Sequence, residues 1–188
     1  MSFDARRSKL SDLLSNARYY MPRNQRSYVW GQDNWADLYE DIMISAEEDA
    51  RPHFIGSIVL MDEGQSEGLD EYNVIDGQQR VVTITILLSA IMHQLRKRNM
   101  EPDFKGTRKR ILVCNNKGQD VPVIAPEQYE ALPRFLKKCG NLTYEEAKNL
   151  SPSALAKRCI VDNQKEKVFK QAYEYLSGRL ETLNDEEL

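Results

Sequence analysis

Val74-Ile75-Asp76-Gly77-Gln78-Gln79-Arg80, followed by the apolar run Val81–Met92, decides the fold. Tyr72–Ile75 reads as a strand, Gly77 permits a sharp turn, and the next residues read as a helix. Only Thr83, Thr85 and Ser89 interrupt the apolar character of residues 81–92. A helix that is apolar on every side is a buried one, so this segment is expected to be the central helix. Asp76 is expected to cap it, its carboxylate accepting the amides of Gln78 or Gln79, with Gln79 in the capping-box position. Gly77 would also remove a side chain from the path of a ligand. The amides of the first turn and the positive pole behind them could seat a phosphate, with Arg80 as a bidentate clamp. A plain cap, with Arg80 paired to a nearby carboxylate, is the competing reading. Two glutamine amides and a guanidinium provide more hydrogen-bonding capacity than a cap needs, which shifts the balance towards a ligand.

Upstream, Phe54–Leu60 has the length and β-branched content of a strand, and the polar, glycine-containing stretch 62–71 reads as a flexible hairpin connection to the strand at 72–75. Farther back lies Tyr19-Tyr-Met-Pro-Arg-Asn-Gln-Arg-Ser-Tyr-Val-Trp30, expected to be irregular. Pro22, Gln25, Arg26, Tyr28 and Trp30 could offer a guanidinium, an amide and aromatic faces to a base-bearing phosphorylated ligand. Equally, Tyr28 and Trp30 could be core anchors. Leu10, Leu13, Leu14 and Ala17 predict a short helix ending near Ala17. Trp35, Leu38, Tyr39, Ile42, Met43 and Ala46 predict a second helix with an acidic polar face.

Downstream, residues 110–114 and 121–124 suggest a further hairpin, and residues 126–150 one or two short helices. Phe169, Ala172, Tyr173, Leu176, Leu180 and Leu183 predict a long amphipathic helix. The expected architecture is α+β, with a core at 1–125 and a helical extension at 126–188 in the same compact unit. No repeat or linker divides the chain.

The 188 residues are 41% apolar and 29% charged, which fits a globular domain and excludes disorder, collagen and a disulfide miniprotein. Lys and Arg total 26 against 29 acids, a formal charge of −3. That figure conceals strong local asymmetry. Residues 1–30 hold six bases and two acids, residues 96–110 seven bases and two acids, and residues 31–50 seven acids without a base. The run from Arg96 reads either as a solvated helix end or as a surface that tracks phosphates, and any DNA affinity would fall steeply with salt. Cys114, Cys139 and Cys159 lack disulfide or zinc spacing, and the longest apolar run is too short to span a bilayer. A reducing cytoplasm is the expected compartment, with no membrane partner.

Three motifs in order, Pro22-x-x-Gln25-Arg26-x-Tyr28-x-Trp30, Phe54-Ile55-Gly56-Ser57-Ile58 and Val74 to Arg80, resemble the N-terminal domain family of GmrSD-type modification-dependent restriction enzymes. The resemblance covers about residues 8–95, and Ala172–Leu176 is similar to the family's helical continuation. It implies a ParB/sulfiredoxin-like fold, a small mixed sheet packed on a central buried helix. In that fold D-G-Q-Q-R corresponds to the G-x-x-R nucleotide site of ParB-like proteins. It also implies a nucleoside-triphosphate (NTP) binding and hydrolysing domain in bacterial defence against phage DNA, coupled to an HNH nuclease domain or subunit. Asp76, Gly77, Gln78, Gln79 and Arg80 would form the nucleotide loop, with Gln25, Arg26 and Thr83 beside it. The family pattern has an aromatic where Asn24 stands and L-T-T where Val81-Val82-Thr83 stands. With only His53 and His93, no H-N-H metal motif is present, so cutting by this polypeptide alone would need other chemistry.

Two functions follow. In the first, the domain is an NTPase: Asp76, Gln79 and Arg80 are catalytic, Arg26 and Arg80 hold phosphates, and Asp76 positions Mg²⁺ or water. In the second, it is a non-catalytic sensor of nucleotide or DNA phosphate that recruits a nuclease or forms a homodimer.

Overall fold

A computed structural model describes residues 7–46, 53–159, 167–185 and 187–188. Its architecture is α+β. Helix α3 (Gln78–Lys97) runs through the centre, a small sheet feeds into its N-terminus, and shorter helices surround it. Val81, Val82, Ile84, Ile86, Ala90 and Met92 are almost completely buried. The hydroxyls on this helix are answered within it: Thr85 donates to the Val82 carbonyl and Ser89 to that of Thr85, both at 2.8 Å. This is why three polar residues do not prevent burial.

The sheet has the order β1-β3-β2, from Ala17–Tyr20, Leu69–Asp76 and Val59–Ser66. β1 runs parallel to β3 with Ala17 opposite Asp70, and β2 pairs antiparallel with β3. The other side of β1 meets Val123–Ala125, through Tyr19 N–H to the Val123 carbonyl at 2.8 Å and Ala125 N–H to that of Tyr19 at 2.9 Å. The helix expected to end near Ala17 therefore stops at Leu13 (α1, Leu10–Leu13), and Ala17 opens a strand instead. Its pairing partners lie far away in sequence and override the local helical spacing.

The polar stretch 62–71 is likewise strand, not a flexible connection. β2 begins at Val59, later than expected, and turns back through Glu67-Gly68, with Ser66 opposite Leu69. Both turn residues have left-handed backbones, φ 52° and 79°, the conformation that tight two-residue hairpins need.

α2 (Gln32–Ala46) packs Trp35, Leu38 and Tyr39 inward. The next helix, α4 (Glu101–Ile111), is one that the sequence reading did not anticipate, because only Phe104 and Ile111 of its residues are buried. The expected second hairpin is present as β4 (Leu112–Cys114) and β5 (Asp120–Pro122). α5 (Ala131–Gly140), α6 (Tyr144–Asn149), α7 (Pro152–Cys159) and α8 (Lys167–Leu180) complete the described chain. α8 lies against α3, and one hydrophobic cluster extends from Leu14 through α3 to Leu180. His93 ties α3 to two neighbours: Nε2–H donates to the Ala147 carbonyl at 3.1 Å, and Nδ1 accepts from the Tyr173 hydroxyl at 2.8 Å. A carbonyl can only accept, which fixes this tautomer. No helix among the described residues is long and apolar enough to cross a membrane.

Candidate functional site at the mouth of the central helix

An open cleft of about 580 Å³ lies where β3 turns into α3. It is lined by Gln25, Arg26 and Trp30 from one strand of chain and by Ile75–Arg80 from the other. The two sequence motifs singled out independently thus form opposite walls of one cavity.

The turn differs from the expected cap. Gly77 itself is the N-cap residue, at φ 83° and ψ 10°, and no side chain caps the helix. Asp76 is exposed, with its carboxylate outside the capping position. A Cβ on Gly77 would stand 2.8 Å from the Ser57 carbonyl oxygen and 3.1 Å from the Ile58 Cα. Gly77 thus clears space for the 57–58 backbone as well as for the turn. The capping box occurs elsewhere, where Thr143 and Glu146 exchange bonds at the start of α6.

Gly56 does for Arg80 what Gly77 does for Ser57. It has φ 106°, and a Cβ there would fall 2.4 Å from the guanidinium carbon of Arg80. The guanidinium therefore lies flat on a bare backbone shelf, donates from Nη1 to the Ser57 carbonyl at 2.9 Å, and sits 5.9 Å from the centre of the Trp30 ring. Among the described residues no carboxylate forms an ion pair with it. The F-I-G-S-I motif is explained by this seat, a role that no sequence signal assigned to Gly56 or Ser57.

The glutamines lace the two walls together. Gln25 donates to the Val74 carbonyl at 2.6 Å, and Gln78 to that of Arg26 at 2.6 Å. Gln79 accepts from the amides of Val29 (2.7 Å) and Trp30 (3.2 Å) and donates to the Ser27 carbonyl (3.2 Å). Its amide is engaged on both ends, so it braces the 27–30 segment instead of reaching into the cleft. Gln128 adds a fourth lace, donating to the Gln25 carbonyl at 2.8 Å. A lone glutamine more than a hundred residues downstream gave the sequence reading nothing to notice.

Beneath the cleft the aromatic motif divides. Trp30 lines the cavity, whereas Tyr28 is buried. Trp35 Nε1 donates to the Tyr28 hydroxyl at 2.8 Å, Tyr28 to Thr83 Oγ1 at 2.7 Å, and Thr83 to the Gln79 carbonyl at 2.7 Å. Each proton has one acceptor, and the chain fixes the first turn of α3 from below. Burial pushes the Tyr28 hydroxyl well above its ordinary pKa, so it stays protonated as the donor to Thr83. Thr83 is wholly buried and stands behind the cleft wall. Val82 is wholly buried too, so the hydroxyl absent there would have faced the core.

At the other end of α3 a second cleft, of about 570 Å³, is lined by Arg96, Glu101, Phe104, Lys105 and Arg108, among others. Here the cations are matched. Arg96 pairs with Glu101 while lying 3.5 Å over the Phe104 ring, and Arg108 bonds Asp120 at 2.6 Å. Arg98 bonds Asp185 at 2.8 Å, Lys97 faces Glu181 at 3.9 Å, and Lys105 faces Glu101 at 3.5 Å. Arg110 donates to the Ser11 carbonyl at 2.6 Å. The basic run 96–110 is therefore largely spent on holding the chain together.

A small mixed sheet that feeds a buried helix through a left-handed glycine, with an open cleft and an arginine at the junction that has no ion pair among the described residues, defines the α+β domain. The chain belongs to the GmrSD restriction endonuclease N-terminal domain family, which matches it over residues 10–187. It is a restriction-system domain. No curated protein matches the chain.

Proposed function

We propose that the cleft binds a nucleoside triphosphate and that the domain hydrolyses it with water to the nucleoside diphosphate and phosphate within a bacterial restriction system directed against phage DNA. A nuclease in the same chain or in a partner subunit would do the cutting. One observation carries this reading: Arg80 stands in the first turn of α3, where the helix dipole is already positive. A cation there is disfavoured by about 0.3–1 kcal/mol. Its ordered seat on Gly56, without a paired carboxylate among the described residues, is matched by an anionic ligand.

The other roles follow from position. Arg26 supplies a second cation from the opposite wall, and Trp30 an aromatic face for a base. Gln25, Gln79 and Thr83 hold the two walls in register. Among the described residues no cluster of three metal-ligating side chains occurs. The single exposed carboxylate of Asp76 nevertheless fits Mg²⁺, which in triphosphate sites takes one or two carboxylates together with phosphate oxygens. Bound there, the ion would neutralise phosphate charge. Arg80 and Arg26 orient the triphosphate and offset the charge that builds as the phosphoryl group transfers. The ParB-like reading belongs to the same proposal and is supported by the G-x-x-R stretch Gly77–Arg80 at a strand-to-helix turn.

The test is phosphate release from each of the four NTPs with Mg²⁺, for the parent and for Arg80→Ala. The parent should release phosphate and the variant should not. Binding without turnover would favour a sensor that recruits a nuclease or dimerises, a reading to which the full engagement of Gln79 lends weight. A folded parent that binds no nucleotide would defeat both.

A further inference from the structure

We propose that Gln78 reads the nucleoside part of the ligand, its Oε1 accepting a hydrogen bond from a base amino group or a ribose hydroxyl. The proposal rests on the nucleotide reading above. Gln78 lines the cleft yet is only 5% exposed. Its Nε2 donates to the Arg26 carbonyl at 2.6 Å. Because that carbonyl can only accept, reversing the amide would set two oxygens against each other, so the oxygen end has a fixed direction. That oxygen is buried and has no hydrogen-bond partner.

Gln128 Oε1 is also without a partner, but Gln128 does not line the cleft, and the neighbouring glutamine that does is fully satisfied. Gln79 Oε1 takes two backbone donors, at 2.7 Å and 3.2 Å, in the same turn of the same helix. Buried acceptors in folded proteins are satisfied in the great majority of cases, and an exception at a cleft wall is the signature of a missing donor. Phosphate oxygens cannot supply one, since they are themselves acceptors at neutral pH. A nucleoside amino or hydroxyl group has the donor that a phosphate lacks. Arg80 and Arg26 then serve the phosphates while Gln78 distinguishes what is attached to them.

Sites built to receive a hydrogen bond reject analogues that lack the donor far more strongly than apolar pockets reject size differences. The experiment is calorimetric titration with Mg²⁺ salts of paired ligands: GTP against inosine triphosphate, ATP against inosine triphosphate, CTP against UTP, and each ribonucleotide against its 2′-deoxy form. The parent should prefer the donor-bearing member of at least one pair by about tenfold or more. The base pairs and the sugar pairs tell the two donors apart. Gln78→Met should remove that preference and retain the weaker affinity of the donor-less member. A preference that survives in Gln78→Met overturns the proposal. So does a parent that binds both members of every pair equally, a result that needs no variant to fold and leaves the nucleotide reading intact. A parent that binds no triphosphate overturns both.

Discussion

The two ends of α3 carry clefts of similar volume, about 580 and 570 Å³, and arginines line both. Their electrostatic settings are opposite. At the C-terminal end Arg96 and Lys97 stand at the negative pole of the helix, where cations are favoured, and carboxylates from α4 and the C-terminal segment pair with them. At that end the guanidinium and ammonium charges have carboxylate partners. At the N-terminal end Arg80 stands against the dipole, on a seat made from a glycine backbone, with one carbonyl as its bonding partner. Counting arginines would rank the basic run 96–110 as the stronger anion site. Asking what each guanidinium already touches reverses that order.

The sharpest way to break the comparison is at the glycines, since the N-terminal end depends on backbone clearance and the C-terminal end on ion pairs. Gly77→Ala forces a left-handed backbone onto a residue with a Cβ and drives it against Ser57 and Ile58. It should destabilise the fold by about 2–4 kcal/mol, read by urea unfolding. A loss below about 0.5 kcal/mol, the scale of an ordinary surface change, would mean that the 57–58 backbone is not held as described. In Gly56→Ala the new Cβ meets only the far end of a flexible side chain, so the guanidinium can be displaced, while the backbone at φ 106° adds strain of about 1–3 kcal/mol. It should lower triphosphate affinity by about tenfold, in line with losing one charge-assisted contact, while the domain stays folded. Arg108→Ala should do the reverse, costing about 1–2 kcal/mol of stability and leaving nucleotide affinity unchanged. Equal loss of affinity in both variants would erase the distinction between the two clefts.

The same contrast explains what the sequence made legible. α3 could be read because a segment apolar on all sides is buried whatever its neighbours are. β1 could not: Ala17, Arg18, Tyr19 and Tyr20 form a strand only because β3 and residues 123–125 offer edges to them. α4 was hidden by its polarity, since Glu101 finds its cation on α3 and Arg108 its acid on β5. The hairpin itself was legible, but not the extent of its strands, because residues 61–66 of β2 are polar or exposed throughout. At the site, the residue types in the two motifs were informative, and both motifs do line one cleft. The directions of the side chains were not, because carbonyls of the opposite wall set them. Gln79 was read as catalytic, and its amide bonds the backbone of Ser27, Val29 and Trp30.

His93 allows the C-terminal half of α3 to be probed by pH. Burial, the dominant cause, holds its imidazole below the ordinary 6.5, and the Ala147 carbonyl only partly offsets this. The folded state therefore resists a proton that the unfolded chain accepts. Stability from this group is complete above about pH 6.5 and is lost as pH falls through 6.5 towards the depressed folded value. Melting temperature should decline across that window in the parent. In His93→Gln, whose amide can still donate to Ala147, the decline should be smaller; identical slopes would assign it to other groups.

The smallest effect belongs to the exposed pairs. Asp185 is 71% exposed in its side chain, so its bond to Arg98 works in high dielectric. Asp185→Ala should cost under about 1 kcal/mol, and the difference from the parent should shrink in molar salt, where screening reaches across a few ångströms. Arg98→Ala should cost more than Asp185→Ala, because the guanidinium also bonds the Leu183 carbonyl at 2.8 Å and that bond does not depend on the carboxylate. If the two variants lose equal stability and both recover in salt, the cation contributes through charge alone. If a salt-resistant residue remains only for Arg98→Ala, the arginine is tying the C-terminal segment to α3 as a hydrogen-bond donor. That result would confirm, at the weakest point of the matched end, that its cations are structural parts awaiting no ligand.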